Sequence, residues 1–238
     1  MKVWNRGFRL TWLGHSAFEL VTGGGKTVLF DPWLSGNPKT PDALRAPSKA
    51  DVIALSHAHG DHASDVPALA ARLGCPVVCG YEVHVWLGGQ GVTTSLPLGK
   101  GGTRRVAGLD FTMTHATHSS SFDVPGNPQG GSEAGFVVTL EDGFRLYYAG
   151  DTGPTAEMAV VAELYAPDVA ILPIGDLFTM GPREAAWAAQ KLGAKWIVPM
   201  HYGTFDALTG TPEALRAELK ARGCAAEVVA PAPGEAVE

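Results

Sequence analysis

Apolar and polar positions along the chain repeat one pattern twice: strand-like runs in quick succession, then strand-like runs alternating with helical ones. Phe8 to Leu13, Ala17 to Val21 and Thr27 to Phe30 are apolar and β-branched clusters separated by turn formers, Gly23-Gly24-Gly25 among them, which predicts a β-meander. Leu34 to Ser48, rich in Pro, Asn and Lys, reads as a surface loop. Asp51 to Leu55 is a short apolar strand, followed by a helix over Asp65 to Leu73 capped by Ser64, a strand over Val77 to Cys79 and a helix over Glu82 to Gly88. Strands then return at Thr103 to Val106, Leu109 to Thr114, Gly135 to Leu140 and Arg145 to Tyr148. The last two are joined across Glu141-Asp142-Gly143, and the polar loop Ser119 to Ser132 precedes them. The tail alternates: helix Thr155 to Leu164, strand Val169 to Pro173, helix Pro182 to Leu192, strand Trp196 to Pro199, helix Pro212 to Arg222, strand Glu227 to Val229. Strands followed by βα alternation, twice over, predict an α/β fold in which two mixed sheets pack face to face with helices outside, a four-layer α/β/β/α sandwich. With no repeat or compositional break, residues 1–238 read as a single domain.

The strand Asp51 to Leu55 delivers Ser56-His57-Ala58-His59-Gly60-Asp61-His62, three imidazoles and a carboxylate within six positions. Imidazole nitrogen and carboxylate oxygen suit borderline divalent ions, and their crowding on one loop is offset by a cation. In an extended segment His57 and His59 face the same way and can share an ion. Gly60, free in φ, would let the loop turn so that Asp61 and His62 face a neighbouring one. Further candidates follow apolar strands downstream: Asp151, His201, and either His115 or His118, which spacing alone does not separate. The bland alternatives are a turn residue or helix cap for Asp151 and a strand-end histidine beside Tyr202 for His201. His84, alone in a helix, reads as an ordinary side chain.

Composition narrows the partners. A net charge of −6 and a pI near 5.7 provide no broad basic field, which argues against nucleic acid and for a small-molecule substrate. Cys75, Cys79 and Cys224 are too few for a disulfide framework and fit a reducing cytoplasm, with Cys75 and Cys79 flanking a buried strand. No apolar run is long enough for a signal peptide or a membrane span, so a cytoplasmic protein without membrane association is expected.

His-x-His-x-Asp-His, a later His, Gly150-Asp151-Thr152-Gly153 and a final His after an apolar strand resemble the metallo-β-lactamase superfamily. More narrowly, Leu13-Gly14-His15-Ser16-Ala17-Phe18, Phe30-Asp31-Pro32-Trp33, His118-Ser119-Ser120-Ser121 and Pro199-Met200-His201-Tyr202-Gly203-Thr204-Phe205 are similar to compact metal-dependent hydrolases related to L-ascorbate-6-phosphate lactonase. The resemblance runs from about Phe8 to the carboxyl end and implies the same four-layer fold. It also implies two divalent ions, zinc foremost, with manganese or iron as alternatives. His57, His59 and His118 would hold the first, Asp61, His62 and His201 the second, and Asp151 would bridge them. His118, directly before the serines, is favoured over His115, which would support the site or face substrate. Two ions about 3.5 to 4 Å apart share and acidify a water, and Asp61 would also orient it and shuttle its proton. The implied reaction is hydrolysis of a small ester, lactone, amide or phosphoester. An iron oxygenase-type redox enzyme and a non-catalytic metal- or ligand-binding module are the alternatives on the same fold, and relatives that assemble leave room for a homo-oligomer. His15 would line the substrate pocket. Asp31 would fix a ligating imidazole by accepting its hydrogen bond, or simply start a turn before Pro32. Trp33, Phe122, Phe178 and Met180 divide between pocket wall and plain core.

Overall fold

A computed structural model describes residues 1–126 and 128–238; Asn127, within the loop read over Ser119 to Ser132, lies outside the described residues. The first sheet contains β1 (Arg9–Gly14), β2 (Ala17–Val21), β3 (Thr27–Phe30), β4 (Val52–Ala54), β5 (Val77–Cys79) and β6 (Ser95–Pro97), with α1 (Gly60–Ala63), α2 (Val66–Leu73) and α3 (Tyr81–Gly89) among them. The second contains β7 (Thr103–Val106), β8 (Leu109–His115), β9 (Ala134–Thr139), β10 (Arg145–Tyr148), β11 (Val169–Pro173), β12 (Trp196–Met200) and β13 (Glu227–Val228), with α4 (Glu157–Tyr165), α5 (Pro182–Leu192) and α6 (Pro212–Ala221). A last strand, β14 (Ala236–Val237), returns to pair antiparallel with β1.

The spatial orders are β14-β1-β2-β3-β4-β5-β6 and β13-β12-β11-β10-β9-β8-β7. Each sheet is antiparallel where its hairpins lie and parallel across the longer crossovers, β3 through β6 and β10 through β13, of which all but the looped β3–β4 connection carry an α-helix. Alternation along the strands builds three apolar layers. Phe18, Phe30, Val52 and Ala54 meet Phe111, Phe136, Leu146 and Tyr148 between the sheets. Ile53 and Cys79 turn the other way, onto Val66, Leu69 and Leu87 of α2 and α3. Tyr147 and Ile197 turn out of the second sheet onto Met158, Ala185 and Leu215 of α4, α5 and α6. This is the expected α/β/β/α sandwich. Cys79 packs as a small apolar residue, and burial pushes its thiol up to about 12.

Three local expectations are corrected. The edge strands β6 and β14 are missing from the sequence reading, because three residues including a proline and a two-residue pair carry no periodicity. Ser64 does not cap α2: it follows the last residue of α1, its hydroxyl donates to the carbonyl of Gly60, and α2 starts from Asp65. Gly60 does not use a left-handed φ; it opens α1, where a Cβ would lie 2.6 Å from the Asp123 carboxylate that accepts its N–H at 3.0 Å. Glycine is needed there for that close approach.

Candidate metal centre

The sheets converge at one edge, where strand ends from both halves deliver polar side chains. Tyr148 crosses between them, its hydroxyl lying 2.9 Å from the Ser16 carbonyl and 2.7 Å from Asp31 Oδ2. The Ala134 N–H donates to the Ser56 carbonyl, and Gly150, at φ +63°, passes so close that a Cβ would lie 2.4 Å from the Ala134 carbonyl. Asp151 can follow its strand into the site because residue 150 has no side chain. His15 and His201 both sit in the left-handed region, at φ +53° and +54°, and brace each other through a 3.0 Å hydrogen bond from the His201 N–H to the His15 carbonyl.

Two donor groups result. His57, His59 and His118 place one ligand atom each within 4.8 Å of one another, as do His15, Asp61, His62 and His201. His57 Nε2 and His59 Nδ1 are 3.0 Å apart. Asp151 Oδ2 lies between the groups, 3.1 Å from His201 Nε2, 3.2 Å from His62 Nε2 and 3.8 Å from His118 Nε2. Every ligand read from the sequence therefore reaches this edge, and His15 joins the second group. The fit to a metal rests on the donors: His62 Nε2 and Asp151 Oδ1 are buried without hydrogen-bond partners. Such orphaned atoms are rare unless something completes them, and their chemistry suits a borderline divalent cation.

Asp31 is both a turn residue and a support. At φ +40° it leaves β3, and its buried carboxylate accepts from His62 Nδ1 at 2.7 Å, from the Ser56 N–H at 2.7 Å, from the Ser56 hydroxyl and from Tyr148. With Nδ1 committed, His62 is left to direct Nε2 at the centre. His15 does the same for Asp61: Nε2 lies 3.1 Å from Asp61 Oδ2, and Nδ1 is 2.9 Å from the Thr204 hydroxyl. The structure does not bring His115 to the cluster. It ends β8 with its side chain exposed, beside Val160 and Leu164 of α4, because alternation turns buried Thr114 and exposed His115 to opposite faces. Ser56, Tyr148 and Thr204 were not singled out from the sequence; they act across 25, 117 and 189 positions, a distance no local pattern encodes. Lys49 and Arg45 are occupied by Asp51 and Asp42, each at 3.1 Å, as solvated surface charge.

The electrostatics follow from burial and opposed charges. Burial favours a neutral Asp151, yet His201 and His62 hold it well below the usual carboxylate range. Burial disfavours a charged His62, but Asp151, Asp61 and Asp31 prevail and push it well above its ordinary value. Asp61 is held low against burial by the charge of His62 and the hydrogen bond with His15. His57 is held well below its ordinary value by burial and then by His62, and burial lowers His118. Burial brings His15 to about 4, against the opposing hydrogen bond with Asp61.

A stability profile follows for the chelator-treated protein. Histidines whose folded affinity for protons is lowered let the unfolded chain bind protons first, so stability falls as pH drops below about 6.5. His15 alone, buried and shifted from 6.5 to about 4, accounts for on the order of 3 kcal/mol across that window. His62, shifted upward, keeps its full contribution below 6.5 and loses it only at higher pH. Urea midpoints should therefore decline steadily from pH 6.5 to 4.5; a flat or rising midpoint would contradict the buried neutral imidazoles.

The class defined by this fold and edge is a metallo-hydrolase of the β-lactamase superfamily, whose domain model matches residues 26–202. The relatives narrow it. A UPF0173 metal-dependent hydrolase from Rubrobacter xylanophilus is 45% identical over 231 residues, covering 96% of each chain. Another from Roseiflexus sp. strain RS-1 is 44% identical over 235 residues, again covering 96% of each. Igni18, a metallo hydrolase from Ignicoccus hospitalis, superposes with a TM-score of 0.86 at 35% identity and 97% coverage of both chains. The chain belongs to the UPF0173 metal-dependent hydrolases. Among the described residues no helix is long and apolar enough to cross a membrane.

Proposed function

We propose that the protein hydrolyses a small ester, lactone, amide or phosphoester with water activated between two divalent ions, zinc foremost and manganese or iron as substitutes. The observation that carries this reading is the pair of donor groups sharing one carboxylate: His57, His59 and His118 on one side, Asp61, His62 and His201 on the other, Asp151 Oδ2 between. Bound ions would lower the pKa of a shared water and polarise the scissile oxygen. The protein's own part is to hold and orient. His62 and Asp151 are buried and braced from behind, whereas His59 and Asp61 lie toward the open side. Asp61, ionised and fixed by His15, is the group we assign to orient the attacking water and take its proton. Membership among metal-dependent hydrolases favours water transfer over oxygenation.

Elemental analysis of protein purified without added metal should find two equivalents per chain, accompanied by turnover on a panel of lactones, esters and phosphodiesters. One equivalent of iron with oxygen consumption would favour the oxygenase alternative, and bound metal without turnover a binding module. His118→Ala should lose close to one equivalent and at least about a hundredfold in kcat/KM, roughly 3 kcal/mol of transition-state stabilisation. His115→Ala should retain both equivalents. The reverse result would reassign the ligand.

A further inference from the structure

Outside the ligand cluster, apolar side chains stand exposed around the same edge. Of the four sequence candidates for a wall, Phe122 and Met180 are buried core, while Trp33 is half-buried and Phe178 is exposed. Trp33 sits edge-on to the His15 ring at a centroid distance of 5.5 Å. Phe205 lies 5.7 Å from the same ring and 6.2 Å from Trp33, with 46% of its surface open. His15 in turn holds Asp61, so this aromatic pair begins one ring away from the proposed proton acceptor.

A second apolar tip lies in the β11–α5 connection. Gly175 passes so close to the His201 carbonyl that a Cβ would lie 2.0 Å from it, and the Met180 N–H donates to the Thr152 carbonyl beside Asp151. Between these anchors Asp176 and Leu177 both adopt left-handed φ, +67° and +58°, and Leu177 and Phe178 are 63% and 62% exposed. A strained Asp176–Leu177 turn that leaves the side chains of Leu177 and Phe178 in water is doubly unfavourable locally, a pattern that points to a binding surface.

We infer that Trp33 and Phe205, flanked by the Leu177–Phe178 tip, form a specificity wall that takes an apolar substituent of the substrate, so that the substrate carries an alkyl or aryl group next to its scissile bond. This deepens the hydrolase reading and rests on it for the reaction, though not for the binding.

Neutral γ-lactones with side chains of increasing length serve as probes. With metal-loaded enzyme, kcat/KM should rise with chain length through KM, two- to fourfold per buried methylene. Phe205→Ser and the pair Leu177→Ser with Phe178→Ser should collapse the long-to-short ratio, whereas Leu164→Ser, exposed on α4, should preserve it. With metal-free protein, calorimetric affinity for the same lactones should show the same dependence and the same loss. If no lactone is hydrolysed but that binding pattern holds, the wall stands and the lactone form of the hydrolase reading falls. Hydrolysis with no dependence on chain length would overturn the wall. So would a smaller assembly in solution for the tip variant with the dependence intact, which would assign the tip to contact between copies.

Discussion

Asp151→Ala is expected to lower kcat/KM by about a thousandfold or more, some 4 kcal/mol of transition-state stabilisation, and to abolish the rise in melting temperature expected when zinc is added to the wild type. The residue is buried, and its Oδ2 lies within 4 Å of imidazoles from both donor groups. Removing it takes the shared ligand from both proposed sites and leaves His62 Nε2 and His201 Nε2 facing an apolar stub. Asp151→Asn keeps the shape and one oxygen but not the negative charge that would offset a divalent ion, so it should bind metal more weakly than the wild type and remain strongly impaired. The check is paired elemental analysis and thermal unfolding with and without zinc. A variant that keeps two equivalents and half its activity would remove Asp151 from the centre.

The largest effect on folding is expected from Asp31→Ala, at about 4 to 6 kcal/mol. Four buried donors converge on this carboxylate: the Ser56 N–H and hydroxyl, His62 Nδ1–H and the Tyr148 hydroxyl. A buried donor left without an acceptor costs roughly 1 to 3 kcal/mol, and four failing together would consume a large part of a typical domain stability of about 5 to 15 kcal/mol. The same substitution frees His62 to rotate and exchange tautomers, which should weaken metal binding about ten- to a hundredfold. Asp31→Asn should recover part of both effects, since an amide offers one acceptor oxygen but sets an N–H₂ against the remaining donors. Urea unfolding and metal titration of the two variants provide the measurement. A loss below about 1 kcal/mol with unchanged affinity would reduce Asp31 to a turn residue before Pro32.

The two roles of Asp31 show where sequence stops and tertiary structure begins. Periodicity was sufficient to place most strands and helices to within a residue or two, because each buries one stripe or face and the code for that is local. The density of ligands between His57 and His62 was equally local, and it pointed to metal without knowledge of what it would meet. Short edges escaped, since Ser95–Pro97 and Ala236–Val237 owe their strand character to neighbours already in place. His115 and His118 are three residues apart, and only the folded chain shows that β8 ends on His115 and turns it outward beside α4, while His118 lies past the strand next to His57 and His59. Gly60 reads as a flexible hinge, yet it is glycine because Asp123 occupies the space a side chain would need. The supports of the centre, Tyr148 for Asp31 and Thr204 for His15, join residues 117 and 189 positions apart. The chain alone singled out the candidate donors and the segments that bury them, leaving only the choice between His115 and His118 open. Which second atom of each ligand is held, by whom and at what angle, was decided only when two sheets closed on each other, because orientation depends on contacts between segments that have no relation in sequence.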